Sequence, residues 1–219
     1  MKPPFIIQCL TLSSIFIFCP ETKAAGPFQS WLMIGVSQRL DYSLEANVEW
    51  ENHWSEKKPA WRQSQVEPSL TWHYSPRYDF GVGYMWTEDW PEQNMNDSMH
   101  EGLFFGTIKA DLKNWMLTSR QRFQFGEMDD ETTGMFRQKT RAEYRAEWLP
   151  FRIRPFATDE WFLDLMDGYV SENRFYGGLS YAINRAWMVE IYGMRLDLWG
   201  LNGEHRSGPV FGMEVKLSF

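Results

Sequence analysis

Residues 134–148 read GMFRQKTRAEYRAEW and indicate the fold most clearly. Every second residue from Arg137 to Glu147 is charged, and the residues between them are mostly apolar or small. Successive side chains of a β-strand point to opposite faces. The stretch therefore predicts a strand with one apolar face and one strongly charged face.

The same alternation runs through most of the remaining chain. It is clear in residues 32–50, 66–74 and 78–86, where apolar residues occupy the even positions. The chain has 219 residues, a net charge of −7, 17% aromatic residues and a mean hydropathy of −0.48. A bundle of membrane helices needs runs of about 20 apolar residues, and a disordered chain is poor in aromatic residues. The acidic charge argues against nucleic-acid binding, so we expect one folded, all-β domain.

The C-terminal segment repeats the pattern and ends in an aromatic residue. A last strand of this form resembles the assembly signal of bacterial outer-membrane barrels, and we expect the barrel assembly machinery to recognise it. In such a barrel the apolar face meets lipid and the polar face lines the lumen. A soluble sandwich, whose apolar face points inward, is the alternative. The residues of this signal are Phe211, Met213, Val215, Leu217 and Phe219.

The N-terminal segment, residues 1–24, predicts a cleaved secretory signal. Lys2 precedes a mostly apolar stretch over residues 5–18, and small residues precede a cut after Ala24. Both cysteines of the chain lie in this segment, so the exported domain would contain neither a disulfide nor a thiol nucleophile. We therefore expect residues 25–219 to form a β-barrel in the outer membrane of a Gram-negative cell.

The connections between strands predict the orientation and the strand count. Short turns of outer-membrane barrels face the periplasm and long loops face the exterior. If residues 30–54 form a single long strand, the barrel has ten antiparallel, up-and-down strands with both ends in the periplasm; twelve is the alternative. A turn near residues 39–41 would instead give eleven strands and start the first one outside the cell. The short connections are 75–77, 111–114, 149–151 and 182–185, and the long ones are about 55–61, 87–99, 126–133, 164–172 and 197–204.

Short motifs spread over the whole domain carry a family resemblance. With them the chain resembles an uncharacterised family of Gram-negative outer-membrane proteins, catalogued as domain of unknown function 2490. The resemblance implies a barrel in the outer membrane and implies no activity. The motifs are Gly83-Tyr84-Met85-Trp86, Arg120-Gln121-Arg122, residues 137–145, Asp159-Glu160-Trp161-Phe162, residues 173–178, and Tyr181, Glu190 and Tyr192.

The charged phase of the strands predicts which side chains line the lumen. Acids dominate the early strands and bases the middle ones, so an acidic wall would face a basic wall. Eight strands leave an interior just filled by side chains, and buried charges need partners. We expect a salt-bridged lumen with a structural or interaction role; a narrow channel for small polar solutes is the alternative. The predicted lumen charges are Glu45, Glu49, Glu67, Asp79, Arg120, Arg122, Arg137, Lys139, Arg141, Glu143, Arg145, Glu160, Arg174 and Glu190.

Three histidines at predicted extracellular strand ends form a second candidate site. Because barrel closure makes the first and last strands neighbours, His53 and His205 can approach one another, although their phases point to opposite faces. Such a rim would bind a divalent metal or activate water in a hydrolase, which is a further alternative. Rim histidines and glutamates are usually just solvated, so we expect no catalytic site, metal or cofactor. The rim candidates are His53, His100, Glu101, Glu204 and His205.

Lipid-modifying barrels use a serine–histidine pair at the lipid-facing edge. Here Ser98 and His100 are two residues apart, with Asp97 adjacent, but this triplet falls in a predicted loop. The sequence contains no GxSxG, HExxH, P-loop or GxGxxG motif. It therefore predicts a membrane barrel that is not an enzyme, in contact with outer-membrane lipid.

Overall fold

The computed structural model describes residues 28–55, 58–89, 97–128, 131–145 and 152–219. The predicted signal segment lies outside these ranges. Within them, no helix is long and apolar enough to cross a membrane.

The described residues form a closed barrel of eleven strands. The strands are β1 (Gln29–Arg39), β2 (Leu44–Ser55), β3 (Lys58–Ser75), β4 (Tyr78–Asp89), β5 (Asp97–Leu112), β6 (Trp115–Met128), β7 (Glu131–Tyr144), β8 (Ile153–Asp164), β9 (Tyr169–Ala182), β10 (Trp187–Trp199) and β11 (His205–Ser218). Each strand pairs with its neighbour in the sequence, so the wall is a meander.

The counts of ten and twelve strands are wrong because residues 30–54 form a hairpin. β1 and β2 pair antiparallel from Gln29 opposite Ser55 to Arg39 opposite Glu45. The backbone N–H of Leu40 donates to the carbonyl of Leu44 over 2.9 Å and closes the turn. The turn contains an even number of residues, 40–43, so the alternation continues through it unbroken. An unbroken phase therefore does not distinguish one long strand from this hairpin.

An odd number of strands makes the closing pair parallel. β1 and β11 run in the same direction, with Gln29 opposite Val210 and Ser37 opposite Ser218, whereas all other neighbours are antiparallel. The N–H of Phe219 donates to the carbonyl of Ser37 over 3.0 Å. The start of β1 and the end of β11 consequently lie at opposite ends of the barrel. The prediction that both lie at the same end is wrong for this reason.

The two ends of the barrel differ in how far the strands extend. We call the end with the connections 40–43, 76–77, 113–114, 145–152 and 183–186 the turn end, and the opposite end the loop end. β3 has 18 residues and β5 has 16, more than the roughly 9–11 that cross a bilayer. Much of what the sequence predicts as long loops is therefore continued strand at the loop end.

The barrel places its large apolar side chains on the outer face. Phe104, Phe175, Trp72 and Ile191 are all about half exposed or more. The lumen instead contains charged side chains and a smaller apolar cluster. That cluster consists of Trp31, Phe156, Tyr176, Tyr192, Met194, Leu196 and Val210. The arrangement is opposite to that of a soluble sandwich, which buries its apolar face.

Two inward-facing glycines make room for aromatic rings. A Cβ on Gly81 would overlap the ring of Phe105, and a Cβ on Gly212 would overlap the ring of Tyr192. Each ring lies close to a glycine of a neighbouring strand. These contacts pack the lumen against its own wall, as aromatic residues do when they cover glycines in designed sheets.

Candidate functional site

Ion pairs cross the lumen between strands that are not neighbours. Arg122 of β6 donates to Glu67 of β3 over 2.8 Å, and both side chains are buried. Arg141 of β7 forms a two-pronged contact with Glu190 of β10, at 2.8 and 2.9 Å. Forked arginine–carboxylate pairs are strong and directional. The predicted basic and acidic residues therefore meet directly across the barrel.

Other lumen charges pair along the wall. Arg137 of β7 donates to the buried Glu160 of β8 over 2.5 Å. Lys109 and His73 both contact the buried Asp79. Near the turn end, Glu143 accepts from an arginine of its own strand, from the arginine that directly follows this strand and from an arginine of β8. Those arginines are Arg141, Arg145 and Arg154.

Aromatic rings cover several of the guanidinium groups. Arg120 lies 4.0 Å above the ring of Phe105, and Arg141 lies 3.9 Å above Phe156. A cation over a ring face is stabilised, more so when it is desolvated. Of the other predicted lumen charges, Lys139 lies 5.7 Å from the ring of Tyr176. Glu45 lies 3.6 Å from His73, and Glu49 is half-buried in β2.

A compact cluster lies in the lumen near the loop end. The rings of Trp31 and His53 stack at 3.8 Å with an interplanar angle of 11°. The guanidinium of Arg174 lies 4.6 Å from the same indole. His53 also contacts Glu51 at 2.8 Å, and both are buried. Trp31 therefore contacts both a histidine and an arginine in the lumen at this level.

The structure does not bring the rim candidates together. His53 points into the lumen, whereas His205 lies on the outer face, and β1 separates their strands. His100 is exposed and pairs with the hydroxyl of Tyr84. Glu101 is buried and accepts from Gln124 over 3.1 Å. Glu204 is exposed and contacts Arg206. Among the described residues, no three His, Cys, Asp or Glu side chains are placed to hold a metal ion.

The sequence interpretation missed a group of polar residues on the outer face near the loop end. We call it the outer polar cluster, and it spans β8 to β11. Asp197 receives Nη2 of Arg195 at 3.0 Å and lies 3.0 Å from Nε2 of His205. It also accepts from the hydroxyl of Ser207, which stands opposite it in the register. The members are Asp159, Asn173, Arg195, Asp197, His205 and Ser207.

Register and hydrogen bonds connect this cluster across four strands. Trp161 stands opposite Asn173, and Asn173 stands opposite Asp197. Asn173 donates to Asp159 over 2.9 Å, and the indole N–H of Trp161 donates to the same carboxylate over 2.8 Å. One signal in the sequence could have revealed the cluster. These polar residues occupy the phase that is otherwise apolar in their strands.

A shallow groove adjoins the outer polar cluster. The rings of Trp161 and Trp199 are nearly parallel, with centroids 6.5 Å apart. Trp199 also stacks on His205, with ring centroids 5.2 Å apart. The groove is lined by these two tryptophans together with Tyr169, Val170 and Leu201. It is mainly apolar and lies directly beside the imidazole.

The comparisons with known proteins identify one family. A family model described as a protein of unknown function (DUF2490) matches residues 28–202. No curated protein matches the chain.

Proposed function

Because the chain belongs to the DUF2490 family of proteins of unknown function, we infer its role from its own geometry. We propose that it is an integral barrel of the Gram-negative outer membrane whose lumen is closed by its own side chains. In this proposal the barrel is a structural or interaction scaffold, and it contacts lipid or partners through its outer face and its loop end.

The apolar outer face is the observation that carries the membrane location. Exposed aromatic and aliphatic residues surround the wall, and tryptophans and tyrosines stand near the strand ends, among them Trp115, Tyr181 and Trp187. Single exposed apolar residues are normal in soluble proteins, but large continuous patches mark contact with lipid or a partner. Aromatic girdles around an apolar band are typical of outer-membrane barrels.

The packing of the lumen favours a closed barrel over a narrow channel. Arg122–Glu67 and Arg141–Glu190 cross the interior, and aromatic rings cover several of the arginines. A conducting pore needs a continuous file of water. Paired buried charges are costly to separate, so ions would have to break these pairs to pass.

Export and assembly follow from the same proposal. Residues 1–24 would direct the chain out of the cytoplasm and be removed. β11 presents Phe211 and Met213 on the outer face, and the chain ends in an exposed Phe219. We propose that the barrel assembly machinery recognises this strand, with the turn end left in the periplasm and the loop end at the cell surface.

A combined fractionation and conductance experiment tests the proposal. Expressed with its signal, the protein should sediment with the outer membrane and migrate differently on gels when boiled and unboiled. The unboiled form should give no current steps in planar bilayers. Identical mobility in the two samples would contradict the barrel in the membrane, and regular current steps from the heat-modifiable form would contradict the closed lumen.

A further inference from the structure

The outer polar cluster contains a serine, a histidine and an aspartate on one face of two paired strands. His205 and Ser207 are two residues apart on β11, so their side chains point to the same side. Asp197 lies on β10, directly opposite Ser207. We propose that these three residues form a nucleophilic site that hydrolyses an acyl ester of a membrane lipid.

The contacts assign a role to each member. Asp197 lies 3.0 Å from Nε2 of His205, which fixes the imidazole and leaves Nδ1 as the base. Asp197 is itself held by Arg195, whose Nη2 and Nε lie 3.0 and 2.8 Å from its carboxylate. The Ser207 hydroxyl lies against Asp197, and His205 is its neighbour on the same face of β11, two residues away. A nucleophile, a base and an orienting carboxylate define a triad by geometry rather than by sequence position.

The position of the site on the barrel indicates the substrate. Asp197 is in register with Trp161, and the stacked Trp161–Trp199 pair marks the loop-end girdle. Outer-face residues toward the turn end, such as Phe175 and Phe211, are large, apolar and exposed. Aromatic belts lie at the headgroup level of a bilayer. Ser207 is thus placed where the ester carbonyls of lipids lie, beside a groove suited to an apolar chain.

The reaction balances with water as the second reactant. The Ser207 oxygen attacks the ester carbonyl, and its proton passes to His205. The bond between the carbonyl carbon and the alcohol oxygen breaks, and the alcohol leaves with that proton. Water then attacks the acyl–serine, releases a fatty acid and restores Ser207. Arg195, next to Asp197, is the cation of the site and would stabilise the carbonyl oxygen that becomes negative.

A second serine–histidine pair provides the matched control. Ser98 and His100 are also two residues apart near the loop end of β5, and both are exposed. His100 contacts the hydroxyl of Tyr84 rather than a carboxylate. The Ser98→Ala variant therefore removes a similar hydroxyl without removing the proposed nucleophile.

The test uses a fluorophosphonate probe on the full barrel in detergent micelles. We expect the probe to label the wild type and Ser98→Ala, to lose labelling to background in Ser207→Ala and His205→Ala, and to be found on Ser207 by peptide mass spectrometry. In phosphatidylethanolamine vesicles, fatty-acid release should follow the same order. Heat-modifiable mobility confirms that each variant is folded.

Two results would overturn this assignment. The first is an unlabelled wild-type barrel that is heat-modifiable and therefore folded. The second is labelling that maps to a residue other than Ser207. Mapping on the wild type needs no variant, so a folding defect in Ser207→Ala would leave the test intact. The outcome is also independent of whether the lumen conducts, which separates this inference from the proposed closed barrel.

Discussion

Individual charges in the lumen are stabilised by a small number of close partners. The Glu67 side chain is 4% exposed, and its carboxylate lies 2.8 Å from Arg122 and 3.6 Å from Arg120. Removing one member of a buried pair leaves an uncompensated charge, which costs about 3–5 kcal/mol. Exposed pairs such as Arg206–Glu204 contribute little, because water already solvates both groups.

Replacing Arg122 with alanine is therefore expected to lower the free energy of unfolding by about 3–5 kcal/mol. Urea unfolding of the barrel in micelles, followed by tryptophan fluorescence, measures the loss. The matched variant Arg206→Ala should leave the midpoint unchanged within error. Equal midpoints for the two variants would mean that the Glu67–Arg122 pair is not buried as described.

The glycine opposite Phe105 is expected to be intolerant of a side chain. A Cβ at Gly81 would meet both the Phe105 ring and the carbonyl of Leu70. Overpacking of this kind costs about 1–3 kcal/mol. Gly81→Val should thus lower the temperature at which the unboiled gel band disappears, while Gly193→Ala should not, because nothing lies within 4 Å of a Cβ there. Equal melting temperatures would contradict the ring-over-glycine packing.

The sequence predicts whether a side chain points into the lumen or outward, but it does not predict which residue that side chain pairs with. The alternation of the sequence alone predicts that Glu67, Arg122 and Glu190 lie on the polar, lumen-facing side of their strands. Which arginine meets which glutamate depends on packing between strands far apart in the chain, and no local pattern encodes it. The Trp31–His53 stack is likewise not predictable from the local pattern, because the two rings meet only when β1 and β2 pair as a hairpin.

The β1–β2 hairpin is the element that changes the architecture. A turn at residues 40–43 converts ten strands into eleven and brings β1 into parallel contact with β11. The phase of the sequence passes through the turn undisturbed, so alternation did not reveal it. The outer polar cluster is not apparent from the sequence for a different reason: its members come from four strands, and only the pairing of these strands brings them together.

The parallel closure predicts a specific disulfide. The hydroxyls of Ser37 and Ser218 lie 2.9 Å apart between β1 and β11. The chain's only cysteines are Cys9 and Cys19, so the exported domain is expected to provide a clean background. Ser37→Cys combined with Ser218→Cys should cross-link on mild oxidation, because paired strands place the Cα atoms within disulfide range. Mass spectrometry of the non-reduced digest identifies the linked peptides.

Facing provides the control for this cross-link. Gln38 is the next residue along β1 and points to the opposite face. Gln38→Cys with Ser218→Cys should cross-link poorly under the same conditions. Equal yields for the two pairs, or none for Ser37 with Ser218, would contradict the parallel register.

For the whole molecule, the odd number of strands places the start of β1 and the end of β11 at opposite ends of the barrel. Bacterial single-chain outer-membrane barrels ordinarily have an even number of strands and return to the side where they started. Here β1 begins at the loop end and β11 finishes at the turn end. With the turn end in the periplasm, as proposed, Phe28 lies at the cell surface and Phe219 in the periplasm.

Sided labelling of intact cells is the sharpest test of the proposal that this eleven-stranded barrel spans the outer membrane. Phe28 lies just before β1, Leu201 lies in the loop-end connection between β10 and β11, and Arg185 lies in the turn-end connection between β9 and β10. Single cysteines at these positions would be exposed to a membrane-impermeant maleimide. A barrel that spans the membrane with its turn end in the periplasm predicts labelling of Phe28→Cys and Leu201→Cys on intact cells. It predicts labelling of Arg185→Cys only after the outer membrane is permeabilised. Labelling of Arg185→Cys on intact cells, or protection of Phe28→Cys while Leu201→Cys reacts, would contradict it.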